Sequence, residues 1–181
     1  MEEGISNKKL WDSAGKAGAV LGAISIAYLV ITTLMAGKGG ALGGALLSLV
    51  LWFAKFAGCI YLMKVFMLRY SASEPSAGNR DTFSFGRKTA FLSALLYSAF
   101  VLAFYTLIAP DALASNLDTV MQSYSSMLDS NSLEQLEQMK SSLPQWMFFS
   151  NLIYCYLFGC IVAIFLSRNI PSSNPFENPN L

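Results

Sequence analysis

Four long apolar runs constrain this chain more than any other feature. A bilayer core is ~30 Å thick and a helix rises 1.5 Å per residue, so about 20 apolar residues make one crossing. Ala17–Ala36 has that length and no charge. Ala41–Met63 has it with one interruption, Lys55. Thr89–Pro110 and Trp146–Leu166 are again uncharged. In lipid every backbone N–H and C=O must be bonded within the segment, so such runs are helices. The expected fold is all-α, an integral membrane four-helix bundle.

Composition agrees. Hydrophobic residues make up 54% of the chain and charged residues 13%, where a soluble domain carries about 25% charge. This excludes a disordered chain, a disulfide scaffold and a basic nucleic-acid binder. The first run is longer than the ~7–15 residues of a signal-peptide core, so it reads as a true span. Residues 1–16 form a lead, 17–166 the membrane domain and 167–181 a tail. The tail holds Pro171, Pro175 and Pro179 among Ser and Asn, a composition expected to be disordered.

Basic residues orient the spans. Lys8, Lys9, Lys16, Lys64, Arg69, Arg80, Arg87, Lys88 and Arg168 fall on one side, and Lys38 and Lys140 on the other. Lead, tail and the 69–88 loop are therefore expected in the cytoplasm. The Gly37–Gly40 link is short enough to make spans one and two a helical hairpin. The outer loop, Asp111–Gln145, is expected to hold two amphipathic helices. Leu113, Leu117, Val120, Met121, Tyr124, Met127 and Leu128 make one stripe, and Leu133, Leu136, Met139 and Leu143 a shorter one. Ser132 and Gln135 fit a capping box for the second, and Pro144 ends it. A binding lid and simple burial of the stripes both fit.

Few residues are candidates for chemistry. The chain has no histidine, which removes the usual general base and the Ser-His and Cys-His nucleophile pairs. No catalytic set, metal site or cofactor motif is read. Cys59, Cys155 and Cys160 lie in apolar runs and read as packing residues. Lys55 is the one charge inside a span, and such a group is a functional candidate by default. It lies roughly 21 Å along its span from Ala41, or about 9 Å from the cytoplasmic edge, within reach of a snorkelling stem. Ser25, Ser93 and Tyr97 lie at comparable depth, whereas Asn151 is too shallow. Arg87 and Lys88, following Phe83 and Phe85 at the start of span three, are candidates for lipid headgroups or simply orientation signals. Gly18 and Gly22, and Gly40 and Gly44, have the small-xxx-small spacing that lets helices approach closely. Packing within the hairpin is the expected use, dimerisation the other.

The pattern resembles domain-of-unknown-function family 4199, four-helix membrane proteins found mainly in Bacteroidota. The resemblance rests on Lys16-Ala17-Gly18 through Leu21-Gly22-Ala23 and on Thr82-Phe83-Ser84-Phe85-Gly86. The Leu133–Lys140 segment and the tail starting at Ser167-Arg168 also carry it. It implies a bacterial inner-membrane location and no established activity, and it brings a context near polyprenyl-phosphate glycosyltransferases. The expected role is a non-catalytic structural or accessory subunit. Its partners would be membrane lipids and either a membrane protein or further copies of itself, without nucleic acid. Two rivals are a lipid-phosphate binding or flipping accessory using Lys55, Arg87 and Lys88, and a small oligomeric transporter or channel.

Overall fold

The computed structural model describes residues 2–35, 41–74, 78–124 and 142–170 of the chain. Among them there is no strand. The helices are α1 (Glu2–Met35), α2 (Ala41–Ser73), α3 (Asn79–Ala103), α4 (Pro110–Tyr124) and α5 (Leu143–Asn169), with a π-helical turn, Phe104–Ile108, after α3. Four segments are long and apolar enough to cross a membrane: Asn7–Met35, Leu46–Ser73, Asn79–Ile108 and Leu143–Asn169. The protein is thus a multi-pass membrane protein built as a helical bundle. Its outer surface is apolar, with Leu46, Val50 and Phe53 on α2 and Phe149, Ile153 and Phe165 on α5 exposed.

The helices outrun the apolar stretches at the basic end of the bundle. α1 has 34 residues, roughly 51 Å at 1.5 Å per residue, well beyond a ~30 Å core. Its lead continues the same helix from Glu2. The 69–88 stretch is likewise helix up to Ser73 and again from Asn79. The reason is a buried face that continues past the apolar run, with Met67 and Ser71 on α2 and Thr82, Phe85 and Thr89 on α3 all buried. Tyr70 stacks on Phe85, ring centroids 4.6 Å apart. At the start of α3, Asp81 Oδ2 accepts the Gly78 N–H at 3.2 Å, and the Thr82 hydroxyl donates to the Gly78 carbonyl.

Lipid is as apolar as leucine, so burial of apolar area does little to join helices in a membrane. Close packing must do it, and glycine provides it. A Cβ on Gly18 would lie 2.9 Å from Leu92 Cβ and 3.0 Å from the Thr89 carbonyl, and one on Gly22 would lie 2.8 Å from Leu96 Cδ2. Both contacts are with α3. The first small-residue face therefore works within the chain, but its partner is α3 and not the hairpin neighbour α2. On the other side of α3, a Cβ on Gly159 would lie 2.5 Å from Ala90 Cβ, and one on Gly86 would lie 2.9 Å from Ala163 Cβ. α3 is thereby clamped between α1 and α5, while α2 packs less extensively on the other three. Gly40 lies outside the described residues. Gly44 stands in the first turns of α2.

The π turn has a local cause. Pro110 has no N–H to donate and its ring crowds the carbonyl four residues back. The Ala109 N–H instead reaches the Phe104 carbonyl, five residues back, at 2.8 Å. Pro110 then opens α4 as a first-turn proline, with Asp111 beside it favouring the positive helix end. A helix thus occupies the place of the first expected loop helix as far as Tyr124. The second, over Leu133–Leu143, falls almost wholly outside the described residues.

Gly22→Val and Gly159→Val should each destabilise the bundle by roughly 1–3 kcal/mol, the usual cost of overpacking. Gly58→Val should leave stability unchanged, because a Cβ there meets nothing within 4 Å. Thermal unfolding in one detergent compares the three, and equal shifts would reject the clamp.

Candidate functional site: the Lys55 cavity

The weaker attachment of α2 leaves a space between it and the other three spans. This is a cavity of about 100 Å³ with walls from all four. α1 contributes Leu21 and Ser25, and α3 contributes Ala90, Ser93 and Ala94. α2 contributes Lys55, Phe56, Cys59, Ile60 and Met63, and α5 contributes Tyr154, Cys155, Phe158, Gly159 and Val162. Most of the wall is hydrocarbon. The polar groups are the Lys55 ammonium, the hydroxyls of Ser25 and Ser93, and the thiols of Cys59 and Cys155, with the phenol of Tyr154 at the rim.

Lys55 turns into the bundle. Its Nζ lies 4.9 Å from the ring centroid of Tyr28 on α1 and 4.9 Å from that of Tyr97 on α3. Phe56 lies further off, at 6.0 Å. The physical reason is the tilt of side chains toward the N-terminus of their own helix. In α2 that direction leads away from the basic end, so a stem reaching for the basic end would work against it. The ammonium is instead placed between two aromatic faces, whose negative quadrupoles stand in for part of its lost hydration. Tyr97 is nine residues beyond Lys88 on α3, roughly 13 Å of helix and close to half of a ~30 Å core.

No Asp or Glu occurs between residues 17 and 73, 82 and 110, or 143 and 176. The charge of Lys55 therefore has no acid within these stretches to pair with. A lysine at the centre of a membrane helix costs ~2.5–3.5 kcal/mol on insertion scales. Two desolvated cation–π contacts at up to ~2 kcal/mol each offset about that much. The arrangement keeps the cation in place and leaves it free to attract an anion.

The other two candidate cations stand apart from Lys55. Lys88 Nζ lies 4.9 Å from the Trp11 ring centroid and 3.4 Å from Asn7 Oδ1, which ties α3 to the first turns of α1. Arg87 is exposed, with its guanidinium carbon 5.9 Å from the Phe83 ring. Lys55, Arg87 and Lys88 thus form two separate places at different depths and not one headgroup site. Ser25 and Ser93 do line the Lys55 cavity, as their depth in the sequence implies. Asn151 does not, and its amide bonds to the Met147 carbonyl of its own helix.

Two features were not readable from sequence. The three cysteines are free, but Cys59 and Cys155 come from different helices to the same cavity, and Cys160 does not. No spacing along the chain signals a meeting between α2 and α5. The hydroxyls of Thr89 and Ser98, both fully buried, have no hydrogen-bond partner. Among the described residues no group of three His, Cys, Asp or Glu side chains is placed to hold a metal ion.

The family model described as "Protein of unknown function (DUF4199)" matches residues 16–168. The chain belongs to the DUF4199 family. The match takes in all four walls of the cavity, together with Arg87 and Lys88. No curated protein and no solved structure matches the chain. For this DUF4199 protein, chemistry must therefore be argued from the cavity itself.

If the two tyrosines hold the ammonium, their contribution depends on its charge. Tyr28→Leu and Tyr97→Leu should each lower stability with Lys55 present and do so much less in a Lys55→Leu background. The coupling should be roughly 1–2 kcal/mol in a double-mutant cycle read by denaturation in detergent. Additive effects would remove the cation–π account. Lys55→Leu alone should unfold no more easily than the native protein.

Proposed function

We propose that this protein is a non-catalytic accessory protein of the bacterial inner membrane, with both ends in the cytoplasm, which works by holding an anionic group at Lys55. One observation carries the reading. The Lys55 ammonium sits between Tyr28 and Tyr97 on the wall of a cavity shared by all four spans, and no carboxylate occurs in residues 17–73, 82–110 or 143–176. Intramembrane charges are costly, and where they persist they face partners, substrates or ions. The chain has no histidine and the cavity wall no carboxylate, the commonest general acids and bases, which favours binding over turnover. The segregation of basic residues supports the orientation.

Affinity capture from native membranes in mild detergent, with mass spectrometry of proteins and lipids, tests the reading. An acidic ligand should accompany the native protein in near-stoichiometric amount and be depleted from Lys55→Gln. Equal recovery from both would end it. Reporter fusions at each end should be active only in the cytoplasm, and an extracytoplasmic end would overturn the orientation.

A further inference from the structure

Resting on the reading of Lys55 as an anion-holding group, we infer that its ligand is a membrane amphiphile with a small acidic headgroup, a carboxylate or a phosphate. The ligand enters sideways from the bilayer between α2 and α5.

Size, opening and route point the same way. At about 100 Å³ the cavity is smaller than the ~300–1,000 Å³ that encloses a whole drug-sized ligand. It is large enough for a headgroup of a few heavy atoms. Whatever remains of the ligand must lie outside. Two of the lining residues, Ile60 and Tyr154, are also on the outer surface of the bundle, 37% and 59% exposed. They stand on α2 and α5, so the cavity opens on the seam between these helices, toward hydrocarbon.

The seams that α3 makes with α1 and α5 are closed. α1 meets α3 at Gly18 and Gly22, and α3 meets α5 at Gly86 and Gly159, with close contacts throughout. The α2–α5 seam has no such glycine contact among the described residues and is far less extensive than α3–α5. Phe56 and Phe158 cross it edge to face, centroids 5.0 Å apart. A seam held by two rings can part at the cost of a few contacts, whereas backbone-to-backbone packing cannot.

Charge and chain are then matched to the walls. One ammonium suits a headgroup with one negative charge, and the hydroxyl of Ser93 lines the cavity where it can donate to its oxygens, with that of Ser25 beside the Cys59 thiol. Phe56, Ile60, Phe158 and Val162 offer an apolar wall to a hydrocarbon chain leaving by the seam. An amphiphile already lies in the bilayer with its chain at this depth. A free anion of the same headgroup would have to shed its hydration and cross half the membrane alone.

The two cavity thiols report on occupancy, and Cys160 is an internal standard. The purified protein in phosphatidylcholine nanodiscs is treated with N-ethylmaleimide, and labelling is followed at each cysteine by mass spectrometry. Oleate or phosphatidate should slow labelling of Cys59 and Cys155 about tenfold at roughly ten times its Kd, and leave Cys160 unchanged. Lys55→Gln should lose this protection and Lys55→Arg keep it. Oleyl alcohol should give none in the native protein, which tests the need for an anion without any substitution. Equal protection by acetate or inorganic phosphate would overturn the lipid route while the anion-holding reading stands. Protection by oleyl alcohol matching oleate, or no protection by any probe, would overturn both.

Discussion

Close backbone approach in a solvent that gives apolar surfaces no reason to associate is the constraint on which this structure depends. Gly18 and Gly22 bring α1 onto α3, and Gly86 and Gly159 do the same for α3 and α5. The three helices form a dense slab with α3 in the middle. α2 reaches this slab at Gly86 through the flexible end of Met67 and otherwise packs on it less extensively. A space along α2 is the geometric result, and Lys55 points into it. The cavity and the strength of the clamp are thus two aspects of one distribution of glycines.

The charge in that space is balanced by rings and not by acids. A carboxylate partner would lock Lys55 into a neutral pair and leave it little affinity for anything else. Tyr28 and Tyr97 stabilise the ammonium without neutralising it. A leucine at this position would cost less in lipid, and the proposed anion-holding role accounts for a cation there. The same logic separates Lys55 from Lys88. Lys88 has Trp11 and Asn7 as partners at the basic end, and it works as a strut between α1 and α3.

Much of the architecture could be read in advance because lipid imposes so few solutions. Uncharged runs of about 20 residues had to be helices, and the four spans, the basic end and the Gly18–Gly22 face follow from spacing alone. What spacing cannot supply is the identity of the partner. It marks a face of α1 but not which helix meets it. Gly86-xxx-Ala90-xxx-Ala94 and Gly159-xxx-Ala163 have the same signature and were legible in principle. Lys55 stood out at once, but depth alone left open whether its stem reaches for the nearer edge or turns into the bundle, where Tyr28 and Tyr97 flank it. The meeting of Cys59 with Cys155 depends on how α2 lies against α5, and no local pattern encodes it.

The π turn at Phe104–Ile108 changes how the chain must be counted. It takes one more residue than an α turn would, so positions after it are rotated by about 100° relative to the repeat that runs through α3. α4 therefore begins in a different frame from the buried face of the span before it. A sister sequence one residue shorter here would carry α3 onward as plain helix with its packed half untouched. Length differences between relatives are most easily absorbed at this turn, so alignments through it should allow a gap before Pro110 rather than within the span.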